Sequence, residues 1–231
     1  MANMQKFLHG GFLDMIKACI FDLDGTLLNT LDTIAHFGNM ALEHFGIASI
    51  PTKEYKTLVG NGSRVLIERM LSFRGADIEK TSEIHQWYKE KYDNDFLHLT
   101  TVYDGIIPMI ESLKKMGVKT AILSNKDDST TKKVAEVMLP EGFIDVCLGA
   151  RKGKPLKPDP ESLFEIVEMF GVCRRECLYI GDTATDIETA KNAGVCSIGV
   201  LWGFRDENEL KSAGADIIVS HPLEIIDFIN R

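Results

Sequence analysis

The sequence predicts an α/β fold, a doubly wound parallel sheet with a smaller helical domain inserted near its start. Three observations predict it. Short, near-continuously apolar runs recur along the chain, as parallel strands covered on both faces require. Amphipathic helical segments separate several of them, and that alternation is the pattern of a doubly wound sheet. One long stretch, from about Leu31 to Thr100, carries helical segments and no convincing parallel-sheet strand.

The first strand is "KACIF", which ends at Asp22 and Asp24. The helical stretch follows as "LDTIAHFGNMALEHFG", "KEYKTLVG", "SRVLIERMLSF" and "IEKTSEIHQWYKEKYDNDF". In the first of these, Ile34, Phe37, Met40, Ala41 and Phe45 make a helical apolar stripe. Alternation then resumes. In "GIIPMIESLKKMG" the apolar positions Met109, Ile110, Leu113 and Met116 share a face, and Gly117 supplies a C-terminal stop. The strand "VKTAILSN" follows, then "FIDVCLGA". "PDPESLFEIVEMFG" opens on prolines and acids and closes on Gly171, the polarity of a helix. "ECLYIGD", "VCSIGVLWG" and "ADIIVSH" complete the strands. This divides the chain into a discontinuous core of residues 15–30 and 100–231, a helical domain over 31–99, and an N-terminal extension over 1–14.

Composition narrows the function classes. The 231 residues are 45% hydrophobic and 26% charged, as in a soluble globular protein. No run approaches the roughly 20 apolar residues of a membrane span, and the N-terminus is a poor signal peptide. A net charge of −8 argues against general binding to nucleic acid or anionic membranes, while leaving room for a small anionic substrate. The five cysteines (Cys19, Cys147, Cys173, Cys177 and Cys196) are an odd number with no C-x-x-C pair, so a reduced, cytoplasmic protein is expected. The six histidines are scattered without ligand spacing and read as structural.

In an open α/β sheet, ligands bind beyond the carboxyl ends of the strands. After the first apolar run stand Asp22 and Asp24, and after the second Ser124 and Asn125. Lys157 lies in the loop "KPLKPDP"; Asp182 follows "CLYIG", and Asp186 opens the next helix. Any one of these is ordinary as a solvated loop residue. Together at one sheet edge they suit phosphoryl transfer. Carboxylate oxygens are the ligands Mg²⁺ prefers, and Asp22 and Asp182 can share such an ion. An aspartate can attack phosphorus, while a second one protonates the leaving oxygen and then activates water. A lysine and a hydroxyl can bind the equatorial oxygens. Gly25 lets the backbone turn tightly there.

These segments resemble the signature motifs of the haloacid dehalogenase-like hydrolase superfamily. "DLDGT" at 22–26 matches the first motif, "LSN" at 123–125 the second, "KPDP" at 157–160 supplies the lysine, and "GDTATD" at 181–186 the metal-binding acids. The resemblance implies a Rossmann-like core with a helical cap inserted after the first motif. It implies that Asp22 is nucleophile and Mg²⁺ ligand, and that Asp24 is general acid/base with its backbone carbonyl on the metal. Asp182 would complete the protein metal ligands, with Asp186 as a supporting acid. Ser124, Asn125 and Lys157 would bind the phosphoryl group. Lys154 lacks the second proline of K-P-x-P and is assigned to the surface. Dehalogenating members lack the second aspartate, so Asp24 argues for phosphate chemistry.

Within the superfamily, "VGNGSRVLIERML" at 59–71 resembles the cap segment of phosphoglycolate phosphatases. Gly60, Asn61, Gly62 and Arg64 would then form the loop and guanidinium facing the leaving group, Arg suiting a carboxylate through paired hydrogen bonds. The competing reading is an ordinary turn with a surface arginine. "GNGSR" lacks the third glycine and the preceding strand of a dinucleotide-binding fingerprint. The expectation is a Mg²⁺-dependent phosphatase acting on a small phosphorylated metabolite, 2-phosphoglycolate first, as a monomer or homodimer. Alternatives are a phosphatase for pyrophosphate, nucleotide or sugar phosphate, a sugar phosphomutase, or a binding protein that keeps the fold.

Overall fold

The computed structural model describes residues 15–230. The extension expected over 1–14 lies outside the described residues. Eight strands form: β1 (Ala18–Phe21), β2 (Leu28–Asn29), β3 (Thr101–Val102), β4 (Lys119–Asp127), β5 (Val146–Ala150), β6 (Cys177–Gly181), β7 (Cys196–Val200) and β8 (Ile217–Val219). Six of them make one sheet in the order β5-β4-β1-β6-β7-β8. Every pairing in it is parallel. The chain winds outward from β1 in both directions, so the topological switch point lies at the carboxyl end of β1, where Asp22 and Asp24 stand.

Strand periodicity sorts the apolar side chains to two faces. Cys19 and Phe21 of β1 join the cluster formed with α5 (Ile106–Lys115), α6 (Asp128–Met138) and α10 (Leu223–Ile229). Ala18 and Ile20 join the opposite cluster, with α7 (Glu161–Phe170) and α8 (Ala184–Ala193). All four β1 side chains are fully buried, which explains the uninterrupted apolar run.

The inserted segment builds a third cluster of its own. It comprises α1 (Leu31–His44), α2 (Tyr55–Leu58), α3 (Ser63–Arg74) and α4 (Thr81–Asn94). Ile34, Phe37, Ala41 and Leu42 of α1 pack against Tyr88 and Tyr92 of α4 and Leu66, Ile67 and Met70 of α3. Met40, expected in the buried stripe, is 37% exposed because it lies about 100° around the helix from Ala41. Met116 is exposed for a different reason: α5 ends at Lys115, and the helical period stops before reaching it. The chain enters and leaves the insertion through β2 and β3, an antiparallel pair of two residues each that sequence periodicity did not reveal.

All five cysteines are free thiols. No helix among the described residues is long and apolar enough to cross a membrane. Lys154 is exposed and pairs with Glu161 and Glu165, a surface role as expected.

Candidate active site

Asp22 directly follows β1 and is buried, its side chain 10% exposed. Its Oδ1 accepts from the Leu23 amide at 2.7 Å and lies 2.9 Å from Lys157 Nζ. Gly25, at φ 89°, turns the chain back; a Cβ there would fall 2.3 Å from Asp182 Oδ2. Only glycine fits both the conformation and the contact. Thr26 Oγ1 then donates to Asp182 Oδ1 at 3.1 Å, and the Phe204 amide donates to Oδ2 at 2.8 Å.

Asp186 reaches the same place by a local device. In "TATD", Thr183 is the N-cap of α8 and Asp186 its third residue, so each satisfies the other's backbone in a capping box. Asp186 Oδ2 accepts from the Thr183 hydroxyl at 2.7 Å, and Oδ1 from Lys157 Nζ at 2.7 Å. Asn125 fixes the lysine's own loop: its Oδ1 accepts from the Lys157 amide at 2.8 Å and its Nδ2 donates to the Lys157 carbonyl at 3.1 Å.

Asp22, Asp182 and Asp186 are all buried, with ligand oxygens within 4.8 Å of one another. Lys157 pairs with two of them, and no cationic side chain pairs with Asp182 among the described residues. Three buried carboxylates therefore face one ammonium. Burial pushes the Asp22 carboxyl up to about 7, Lys157 pulling it down and Asp186 adding to the rise. Burial, then Asp186 and Asp22, hold Asp182 well above the usual carboxylate range. Burial works against the Lys157 ammonium, but Asp186 and Asp22 outweigh it and raise its pKa. An all-oxygen cluster with excess buried negative charge fits a hard divalent cation, so the donor set passes that test.

A cavity of about 80 Å³ opens beside this cluster, between the sheet edge and the helical insertion. Asp22, Asp24, Ser124 and Asn125 line it from the core, and Gly60, Gly62, Leu66 and Tyr92 from the insertion. The insertion is tied down across it. Asn125 Nδ2 donates to the Gly60 carbonyl at 3.1 Å, Arg205 to the Val59 carbonyl at 3.0 Å, and Thr130 to Asp93 at 2.8 Å. Gly62, at φ 84°, lies against the Asn125 carbonyl, which a Cβ would approach to 3.3 Å.

Three expected residues are redirected. Arg64 does not line the cavity: its side chain is 57% exposed, with Nε 3.4 Å from Glu68 and a hydrogen bond to Ser82 at 3.2 Å. It sits one residue after cavity-facing Ser63, which on a helix turns it about 100° away. Asn61 braces the loop instead, accepting from Arg69 at 2.7 Å and donating to Thr185 at 3.5 Å. Asn125 lines the cavity, but its side-chain amide is committed to Lys157 and Gly60. That amide joins loop, strand and insertion.

Two residues went unnoticed in the sequence. Lys126 Nζ donates to both oxygens of Asp24 at 3.0 Å and to the Tyr92 hydroxyl at 2.8 Å. Burial opposes its charge, yet Asp24 and Tyr92 push its pKa above the usual lysine value. The only signal was its position directly after "LSN". Tyr92 carries no distinguishing signal in the helical segment "IEKTSEIHQWYKEKYDNDF".

Comparison with known proteins gives the family. Residues 19–200, well over half the chain, match the family of haloacid dehalogenase-like hydrolases. The chain belongs to that family. It is 30% identical to a phosphoglycolate phosphatase of Vibrio parahaemolyticus, over 93% of this chain and 96% of the relative. It is 29% identical to an N-acetylmuramic acid 6-phosphate phosphatase of Pseudomonas aeruginosa, over 94% and 96%. A crystal structure from Lactobacillus delbrueckii subsp. bulgaricus, of a protein assigned by inference as a phosphoglycolate phosphatase, superposes with a TM-score of 0.88 at 30% identity, covering 94% of this chain and 99% of that one. The chain is thus an enzyme, a hydrolase whose named relatives are phosphatases. Their shared fold is the Rossmann-like sheet with flanking helices.

Proposed function

We propose that the protein is a Mg²⁺-dependent phosphatase for a small phosphomonoester, first of all 2-phosphoglycolate, acting through an aspartyl-phosphate on Asp22. The observation that carries this reading is the buried Asp22–Asp182–Asp186 cluster with Lys157, set at the switch point beside a cavity. Residues 31–99 are read as the cap over that cavity.

Asp22, Asp182 and the backbone carbonyl of Asp24 would hold the ion. Bound there, Mg²⁺ supplies positive charge to the phosphoryl oxygens and allows Asp22 to be ionised beside Asp182. Lys157 and Ser124 bind the remaining phosphoryl oxygens, where charge must be stabilised as the ester bond breaks. A carboxylate oxygen of Asp22 attacks phosphorus, and the bond from phosphorus to the leaving oxygen breaks. That oxygen takes a proton from the Asp24 carboxyl. In the second half, Asp24 takes a proton from water, the water oxygen attacks phosphorus, and the bond to Asp22 breaks, releasing inorganic phosphate. Asp186 positions Lys157, and Thr26 with the Phe204 amide positions Asp182.

The relatives support two acids as leaving-group sources, glycolate and N-acetylmuramic acid. The phosphoglycolate name recurs among the relatives, so the first is the leading candidate. A screen of phosphate esters with Mg²⁺, ranked by kcat/KM, tests the reading. 2-Phosphoglycolate is expected at the top; a pyrophosphate, nucleotide or sugar phosphate ahead of it by tenfold would replace the assignment.

A further inference from the structure

With Arg64 turned outward, the cavity is still lined by a nearly buried cation, Lys126, held by Asp24 and Tyr92. We propose that Lys126 is the specificity residue, receiving the carboxylate of the leaving group once Asp24 turns to the ester oxygen. This inference rests on the phosphoglycolate reading above and names the residue that would enforce it.

Lys126 lies at the end of β4, and its side chain is only 10% exposed. Its three ammonium hydrogens are directed to Asp24 Oδ1, Asp24 Oδ2 and Tyr92 Oη. All three residues line the same cavity. Among the described residues Asp24 is the only anion paired with Lys126, and in the proposed reaction it must offer its carboxyl to the ester oxygen. That motion leaves a nearly buried ammonium with a neutral phenol as its remaining partner. An uncompensated buried charge is strongly unfavourable. A carboxylate one carbon from the ester oxygen can replace Asp24 on Lys126; a methyl group cannot.

The rest of the cavity offers no better receptor. Lys89 also lines it, but its side chain is 40% exposed and already paired with Asp93 at 3.0 Å and Asp127 at 3.2 Å. Ile34, Leu66 and Phe204 add apolar lining and no charge. Tyr92 belongs to α4 of the insertion, so the receptor is complete only where the insertion meets the core. Selection of the leaving group and closure over it would then share one contact.

The test compares 2-phosphoglycolate with ethyl phosphate, which has a methyl in place of the carboxylate. Lys126→Met should reduce the ratio of their kcat/KM values about 30- to 300-fold, the scale of one lost charged hydrogen bond with its partner stranded. Lys126→Arg should retain most of the wild-type ratio, and circular dichroism of both variants checks the fold. An unchanged ratio in folded Lys126→Met, with both esters slowed alike, would overturn the inference, leaving Lys126 as a residue that only positions Asp24. In that case the phosphoglycolate reading survives, because the wild-type preference is intact. A wild-type ratio near one would overturn both together.

Discussion

At the core end of the cavity, each acid stands within a few residues of a strand terminus and is held by backbone or by a single capping device. At the cap end, the polar contacts come from helix faces and a loop whose side chains point wherever packing turns them. Asp22, Asp182, Asp186 and Lys157 are brought together as their motifs imply. Arg64 and Asn61, inferred for the cap, are not brought to the cavity, and Lys126 stands near that end instead. The difference teaches that a sheet edge converts sequence order into spatial order, whereas a helix also requires an azimuth.

The sharpest way to break the comparison is at the core end. Asp22→Asn removes the attacking charge and a metal ligand while keeping the shape. We expect a fall in kcat of roughly 10⁴-fold or more with the fold retained. Steady-state assays on purified, folded protein decide it; activity within tenfold of wild type would exclude covalent catalysis at Asp22.

Asp24→Asn should cost less and depend on the leaving group. Loss of proton transfer is worth roughly 10² to 10⁴. The deficit should be smallest for p-nitrophenyl phosphate, whose leaving group needs no proton. Equal deficits on nitrophenyl and alkyl esters would contradict the acid role.

The fold was legible in the strands because the middles of β1, β4, β6 and β7 are buried on both faces, so each carries a mainly apolar run. The β2–β3 pair was not legible: two residues per strand carry no period. Lys126 was hidden for a related reason. The strand expected to end at "LSN" continues to Asp127, so Lys126, one residue past the expected end, is on the strand and nearly buried. Asn125 stood at the expected strand end, but its amide's commitment to two other segments is visible only in three dimensions.

A third prediction concerns pH in the absence of metal. The Asp22 pKa rises from 3.8 in isolation to about 7 in the fold. The folded state therefore binds more protons than the unfolded state between those values, and stability falls as pH rises through that window. In EDTA, Tm should decline from about pH 4 to pH 7 by way of this cluster. Mg²⁺ requires the deprotonated acids, so its stabilisation should grow over the same range. A Mg²⁺ effect on Tm independent of pH would place the ion elsewhere. The Asp22→Asn variant should lose much of the EDTA-state slope.

The smallest effect is expected at the surface of the cap. Arg64→Ala removes an exposed i,i+4 pair with Glu68, worth a few tenths of a kcal/mol in stability. Its kcat/KM for 2-phosphoglycolate should stay within about threefold of wild type, since a change of that energy is less than a factor of ten. A selective loss on that ester alone would restore Arg64 as the carboxylate receptor and remove the contrast between the two ends.

The covalent intermediate is the claim on which the core assignment depends. Acid quench during turnover of 2-phosphoglycolate with Mg²⁺, followed by borohydride reduction, converts an aspartyl-phosphate to homoserine, which peptide mass spectrometry locates. The account predicts homoserine at residue 22 and nowhere else, dependent on both substrate and Mg²⁺. Homoserine at Asp24, Asp182 or Asp186 during active turnover would contradict it.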